Sequence, residues 1–210
     1  MVCFVLALCC LCSCGPKLPV YTIKPQDIPA LTSDAQQQIP FRVGFFIDSQ
    51  FEELTYTGMM YERSLFTGPK GPVVDVEVRA AFEQAARRMF KEVVPITATE
   101  TVPDWRAKNL NVVVAVGDIE CTVEGQGAKE RWPPVRPLLF ATICAEWTIL
   151  DPYGKPVTSM IVVGQGQARP SGGYKPQREA IVKALDAHFV KAYDNIVMTA
   201  WWRDSSWKSN

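Results

Sequence analysis

His188 is the only histidine among the 210 residues, so a Ser–His–Asp or Cys–His device would have to run through it. Neither a Gly-x-Ser-x-Gly elbow nor a papain-like cysteine signature accompanies it. It stands at the edge of an apolar helical stripe, which suits a structural histidine at the margin of a core. A zinc centre needs at least three protein ligands. With one histidine, the others would be cysteines or carboxylates gathered from unrelated segments, so no metal and no cofactor are expected. Gly164-Gln165-Gly166 follows a strand-like run, but Arg169 occupies the place of the third glycine of a dinucleotide loop. Glycines at a strand end, marking a bulge or an edge, are the simpler reading. Asp118, Glu120 and Glu146 could supply the carboxylate pair of a glycosidase. Alternation along a strand with one wet face explains them more simply as solvent-facing charges. Taken together, these residues point away from an enzyme.

Two other groups of residues suit binding. Glu130-Arg131-Trp132-Pro133-Pro134-Val135-Arg136-Pro137 joins a tryptophan, two arginines and three prolines in a predicted hairpin loop. Such a rigid, exposed segment is fit for docking through Trp132, Arg131 and Arg136. At the C-terminus, Trp201, Trp202 and Trp207 stand near Arg203 and Lys208 and could anchor at a membrane interface or on a partner. Local packing against the core would account for both groups as well. Nucleic acid is an unsuitable partner, because Lys+Arg and Asp+Glu balance at 22 each and no basic stripe runs along the chain.

The elements that would position these residues follow from periodicity. With 48% hydrophobic and 21% charged residues, the chain has the composition of a globular protein with a substantial core. Phe41 to Asp48 reads as a buried strand, and residues 54–67 as a bent strand or hairpin. After the break at 68–72, apolar residues at three- and four-residue steps predict a helix from Val74 to Val93, with Pro95 beyond its end. Strand-like runs follow at 93–99, 110–123, 138–150 and 157–168. The second is apolar on both faces through Leu110–Val116 and is expected at the sheet centre. Asp151-Pro152-Tyr153-Gly154 is a tight-turn signal. A last helix is predicted from Pro176 to Trp202. The expected fold is α+β, a two-layer α/β arrangement. It has a largely antiparallel mixed sheet of about five to seven strands and two main helices on one face.

Five of the seven cysteines fall within the first 14 residues, inside or just after the apolar run VCFVLALCCLC. Eleven apolar residues are too few to span about 30 Å of hydrocarbon as a helix, but they suit the core of a signal peptide. The segment Leu11-Cys12-Ser13-Cys14 resembles the lipobox of bacterial lipoproteins. That resemblance implies cleavage before Cys14, which would carry diacylglycerol and an amide-linked acyl chain such as palmitate. Gly15, where aspartate would imply retention in the inner membrane, implies the outer membrane, with the body facing the periplasm. The expected organisation is a signal peptide over 1–13, a lipidated Cys14 with a Pro-rich tether over 14–40, and one globular domain over 41–210. A tether of that composition would reach on the order of 70–80 Å if fully extended, and the alternative is that part of it lies against the domain.

An oxidising periplasm permits a disulfide between Cys121 and Cys144, which lie on adjacent predicted strands. However, Cys121 phases with Ile119 and Val123, whereas Cys144 phases with Thr142 and Glu146. Opposed residues share a face unless a bulge intervenes. The body weakly resembles small periplasmic lipoproteins of envelope assembly and transport machines. The expected function is therefore a membrane-anchored structural or accessory subunit of an envelope assembly, with an envelope protein as partner. A carrier of a lipid or small apolar ligand is the alternative, and an envelope hydrolase a distant third.

Overall fold

The computed structural model describes residues 20–32, 38–48, 54–57, 73–97, 99–126, 138–169 and 175–198. In chain order the strands are β1 (Val20–Ile23), β2 (Ile39–Ile47), β3 (Leu54–Thr57), β4 (Val73–Val76), β5 (Phe90–Pro95), β6 (Val112–Gln126), β7 (Leu138–Leu150) and β8 (Pro156–Ala168). The helices are α1 (Pro29–Thr32), α2 (Val78–Met89), α3 (Val102–Ala107) and α4 (Lys175–Tyr193), the last continuing as a π-helical turn over Asp194–Met198. The strands form a five-stranded sheet of order β5-β2-β6-β7-β8 and a three-stranded sheet of order β1-β4-β3. The α+β architecture is as expected, while the pairings are less antiparallel than the sequence suggested. Three of the six are parallel: β1 with β4, and β2 with both β5 and β6. The physical reason lies in the connections. β5 and β6 lie beyond the helix α2 from β2 and pair with it in parallel, β1 meets β4 only after the chain has passed through β2 and β3, and the β6-β7-β8 hairpins deliver antiparallel neighbours.

The apolar run at the start of β6 does occupy the sheet centre, with Val112, Val113 and Val114 fully buried on both faces. Beyond it, Asp118 and Ile119 together oppose Ala145, a bulge at which Asp118 takes the left-handed conformation with φ 47°. That extra residue shifts the alternation by one. Ile119 is buried, Cys121 and Val123 pack on the main core, and Glu120, Thr122 and Glu124 face water. In α2, Val78, Ala81, Phe82, Ala85, Ala86 and Met89 form one buried stripe against the sheet. α4 lies beside it, burying Ala180, Ile181, Ala184, Leu185, His188, Phe189 and Ala192. The two main helices thus share a face. The opposite face carries a smaller core of Ile96, Trp105, Leu110 and Val113 beneath α3, an element the periodicity did not reveal.

One boundary is corrected. The helix expected from Val74 to Val93 spans Val78–Met89, because Val73–Val76 pairs on both edges as β4 and Phe90 turns extended to open β5. β-branched residues favour the pleated surface over the helix, and apolar spacing alone does not separate the two. Within the segment expected as a Pro-rich tether over 14–40, residues 20–32 lie against the body, as the sequence also allowed. From Val20 onward the chain belongs to the body, with Ile23 and Ile28 fully buried and Leu31 nearly so. Pro25 and Pro29, instead of holding the chain extended, open a 3-10 turn and the single-turn α1, positions where a missing N–H costs little. Side chains fasten this segment. Arg178 pairs with Asp27 at 2.7 Å, Asp186 accepts from the Ala30 amide at 2.6 Å, and Arg88 donates to the Leu31 carbonyl at 2.9 Å.

Candidate functional site

His188 sits at the centre of the main core with no exposed surface. α4 carries it there because residues 181, 184, 185, 188 and 189 fall on one helical stripe. Its Nε2 accepts a hydrogen bond of 3.1 Å from the indole N–H of Trp147 on β7, so the ring's own proton resides on Nδ1. Nδ1 makes no hydrogen bond of good geometry. Phe82 stacks on Trp147 with centroids 5.6 Å apart and meets Phe189 edge-on at 5.0 Å, and His188 lies within 5.5 Å of both phenylalanines. Burial lowers the imidazole to a pKa of about 4. The nearby Ile143 and Val162 carbonyls oppose that shift and the Lys191 charge adds to it. The ring is therefore neutral, enclosed and structural. Trp147 was not singled out from the sequence; its phase with Ile143, Ala145 and Ile149 signals a core position, but nothing in the sequence marks it as the partner of His188.

Gly164 and Gly166 form no dinucleotide loop; they stand near the end of the edge strand β8, as the edge reading expected. Both lie within β8 on the face that receives α4. A Cβ at Gly164 would stand 2.1 Å from the Ala184 carbonyl oxygen and 2.4 Å from the His188 amide nitrogen. One at Gly166 would stand 2.2 Å from the Ala180 carbonyl oxygen. The two glycines let helix backbone rest directly on strand backbone, which is what seats His188 against the sheet. β8 is also an edge strand. Two α4 lysines reach over it: Lys191 Nζ donates to the Val163 carbonyl at 2.8 Å and Lys183 Nζ to that of Gln167 at 3.1 Å. They occupy outward carbonyls that would otherwise template another strand, a role the sequence did not disclose.

The disulfide considered for Cys121 and Cys144 does not form; both thiols are free. Cys121 is paired with Ile143 and Cys144 with Glu120, so the two cysteines are one step apart in register and point to opposite faces of the sheet. The bulge at Asp118–Ile119 precedes them and does not bring them to one side. Burial pushes the Cys121 thiol up to about 11, and burial with the Glu120 and Asp118 carboxylates raises that of Cys144, so neither favours a thiolate. Of the three carboxylates weighed as a cluster, Asp118 and Glu120 act on Cys144, while Glu146 accepts from the Ser159 hydroxyl across β7 and β8. Among the described residues no three His, Cys, Asp or Glu side chains are placed to hold a metal ion.

Cys14, Arg131, Trp132, Arg136, Trp201, Trp202 and Trp207 lie outside the described residues. A cleft between α1, α2 and α4, lined by Leu31, Ala85, Arg88, Met89, Phe189 and Tyr193 among others, has a volume of about 50 Å³. No helix among the described residues is long and apolar enough to cross a membrane.

No protein-family model matches the chain, and no curated protein matches it in sequence. Among solved structures, that of a hypothetical protein from Chlamydia trachomatis is similar at 12% identity and a TM-score of 0.37, covering 78% of this chain and 96% of that one.

Proposed function

We propose that the chain is an outer-membrane lipoprotein, held through Cys14 and facing the periplasm, whose non-enzymatic body serves as a structural or accessory subunit of an envelope assembly. The anchor rests on Leu11-Cys12-Ser13-Cys14 after an apolar run of signal-peptide length. One observation favours a protein partner over a carried ligand: the space between sheet and helices is filled. Trp147, Phe45, Phe82 and Phe90 occupy it with at most 2% of their surface exposed, and the cleft beside them offers about 50 Å³. A pocket for a lipid or drug-sized ligand needs roughly 300 Å³ or more. The docking candidates are Arg131, Trp132 and Arg136 in the β6–β7 connection and Trp201, Trp202 and Trp207 beyond the last helix.

The anchor is tested by metabolic labelling with palmitate. Cys14→Ser is expected to abolish labelling and to move the protein from the membrane into the soluble fraction or the precursor pool. A wild-type chain that incorporates no label and fractionates as soluble refutes the anchor. Affinity recovery from detergent-solubilised membranes, read by mass spectrometry for both proteins and co-purifying lipid, tests the rest. A stoichiometric envelope protein supports the accessory-subunit reading, and stoichiometric lipid in its place supports a carrier.

A further inference from the structure

We infer that the body is held flush against the bilayer, with the end of the small sheet that bears Val20 turned towards the membrane. The inference rests on the lipid anchor proposed at Cys14 and adds to it an orientation and a contact surface. Its basis is the length of chain between the anchor and the first fixed residue. Val20 pairs with Val73 at the start of the parallel β1–β4 ladder, and the Ile23 carbonyl accepts a hydrogen bond from the Glu77 amide at 3.0 Å. Past Ile23 the ion pair of Asp27 with Arg178 and the bond from Ala30 to Asp186 bind the same segment to α4. Pulling on residue 19 therefore loads a laddered, buried strand and does not unroll a spacer.

Six residue steps separate Cys14 from Val20. Whatever its conformation, such a segment reaches roughly 20 Å at most. A body of this size is about 40 Å across. The leash is thus about half the width of the object it holds, whereas a fully extended spacer over 14–40 would clear the whole domain. Val20 must stay within that distance of the leaflet that takes the Cys14 acyl chains, and its own side chain, 58% exposed, is free to meet the interface. The opposite side of the molecule is marked by Tyr153. It is 49% exposed in the β7–β8 turn and lies under the Arg106 guanidinium of α3, on the sheet face away from α2 and α4. β1 and α1 pack on the helix side, so a leash from Val20 turns the helix side towards the lipid and Tyr153 towards the periplasm.

The test places the photoreactive amino acid benzoylphenylalanine at position 20 or at position 153 of the full chain. Cells are grown with palmitate label in one arm and radiolabelled phosphate in the other, and cross-linked phospholipid is scored on the purified protein. Position 20 is expected to capture phospholipid about fivefold or more over position 153, since a short tether concentrates only what lies beside it. Inserting a long Gly-Ser spacer between Pro19 and Val20 is expected to lower capture at position 20 to the level of position 153 without changing palmitate incorporation. Equal capture at the two positions in palmitate-labelled protein overturns the orientation while leaving the anchor intact. So does capture at position 20 that ignores the spacer. Absence of palmitate removes the anchor itself, and this inference with it.

Discussion

At the scale of single residues, His188 shows how a potential catalyst becomes a structural part. Its imidazole carries no charge because the aromatic walls of Phe82, Trp147 and Phe189 exclude water and the charge of Lys191 beside it has the wrong sign to favour protonation. The consequence is a pH dependence of stability. With a folded pKa near 4 against 6.5 in the unfolded chain, the unfolded state binds the extra proton between those values. Stability is full above about pH 6.5 and is lost as the pH falls towards 4. Between pH 7 and pH 5 the loss from this one group is about 2 kcal/mol. Urea midpoints at the two pH values measure it. His188→Gln, which keeps an acceptor for the Trp147 indole and cannot titrate, is expected to be less stable at pH 7 but to lose that part of the pH dependence. An undiminished slope in the variant would assign the acid sensitivity to other groups.

At the scale of elements, the close contact of α4 with β8 depends on two missing side chains. Gly164→Ala would drive a methyl group into the Ala184 carbonyl and the His188 amide, which are backbone atoms and cannot rotate away. The helix must lift, and the expected loss is about 3 kcal/mol. Gly117→Ala, where nothing lies within 4 Å, is expected to cost under about 1 kcal/mol. Equal melting temperatures for the two variants would refute the account of the contact. The elements also show what the sequence could and could not disclose. β6, β7, β8 and α4 were legible because long alternating or helical patterns settle which face is buried, and the turn at Asp151–Gly154 was legible from its residue types. β4 was not: Val73, Val74 and Val76 continue the apolar spacing of α2, and only pairing with β1 separates strand from helix. α3 is too short to show a period. The packing of Ile23, Ile28 and Leu31 was hidden among prolines that suggested extended chain. Of the candidate site residues, the opposed faces of Cys121 and Cys144 followed from phase, whereas the partner of His188 depended on contacts across the fold that no local pattern encodes.

At the scale of the whole molecule, a zero formal charge gives no net pull towards an acidic or basic partner, which puts the weight of docking on contact. Interfaces concentrate such energy in a few aromatic and arginine anchors. The chain offers two groups of that kind. Trp132 with Arg136 lies between β6 and β7, and Trp201 with Trp202 lies beyond the π-helical turn that ends at Met198. If either pair is the anchor, its double replacement by alanine is expected to cost about 2 kcal/mol or more of binding, roughly a thirtyfold loss of affinity. The measurement is recovery of the envelope partner from solubilised membranes, set against thermal melting of the same purified variant. Lost recovery at an unchanged melting temperature assigns docking to that pair. Lost recovery together with a fall of many degrees assigns the tryptophans to the core. Full recovery in both double variants removes these residues from the interface and moves the contact to another surface of the body.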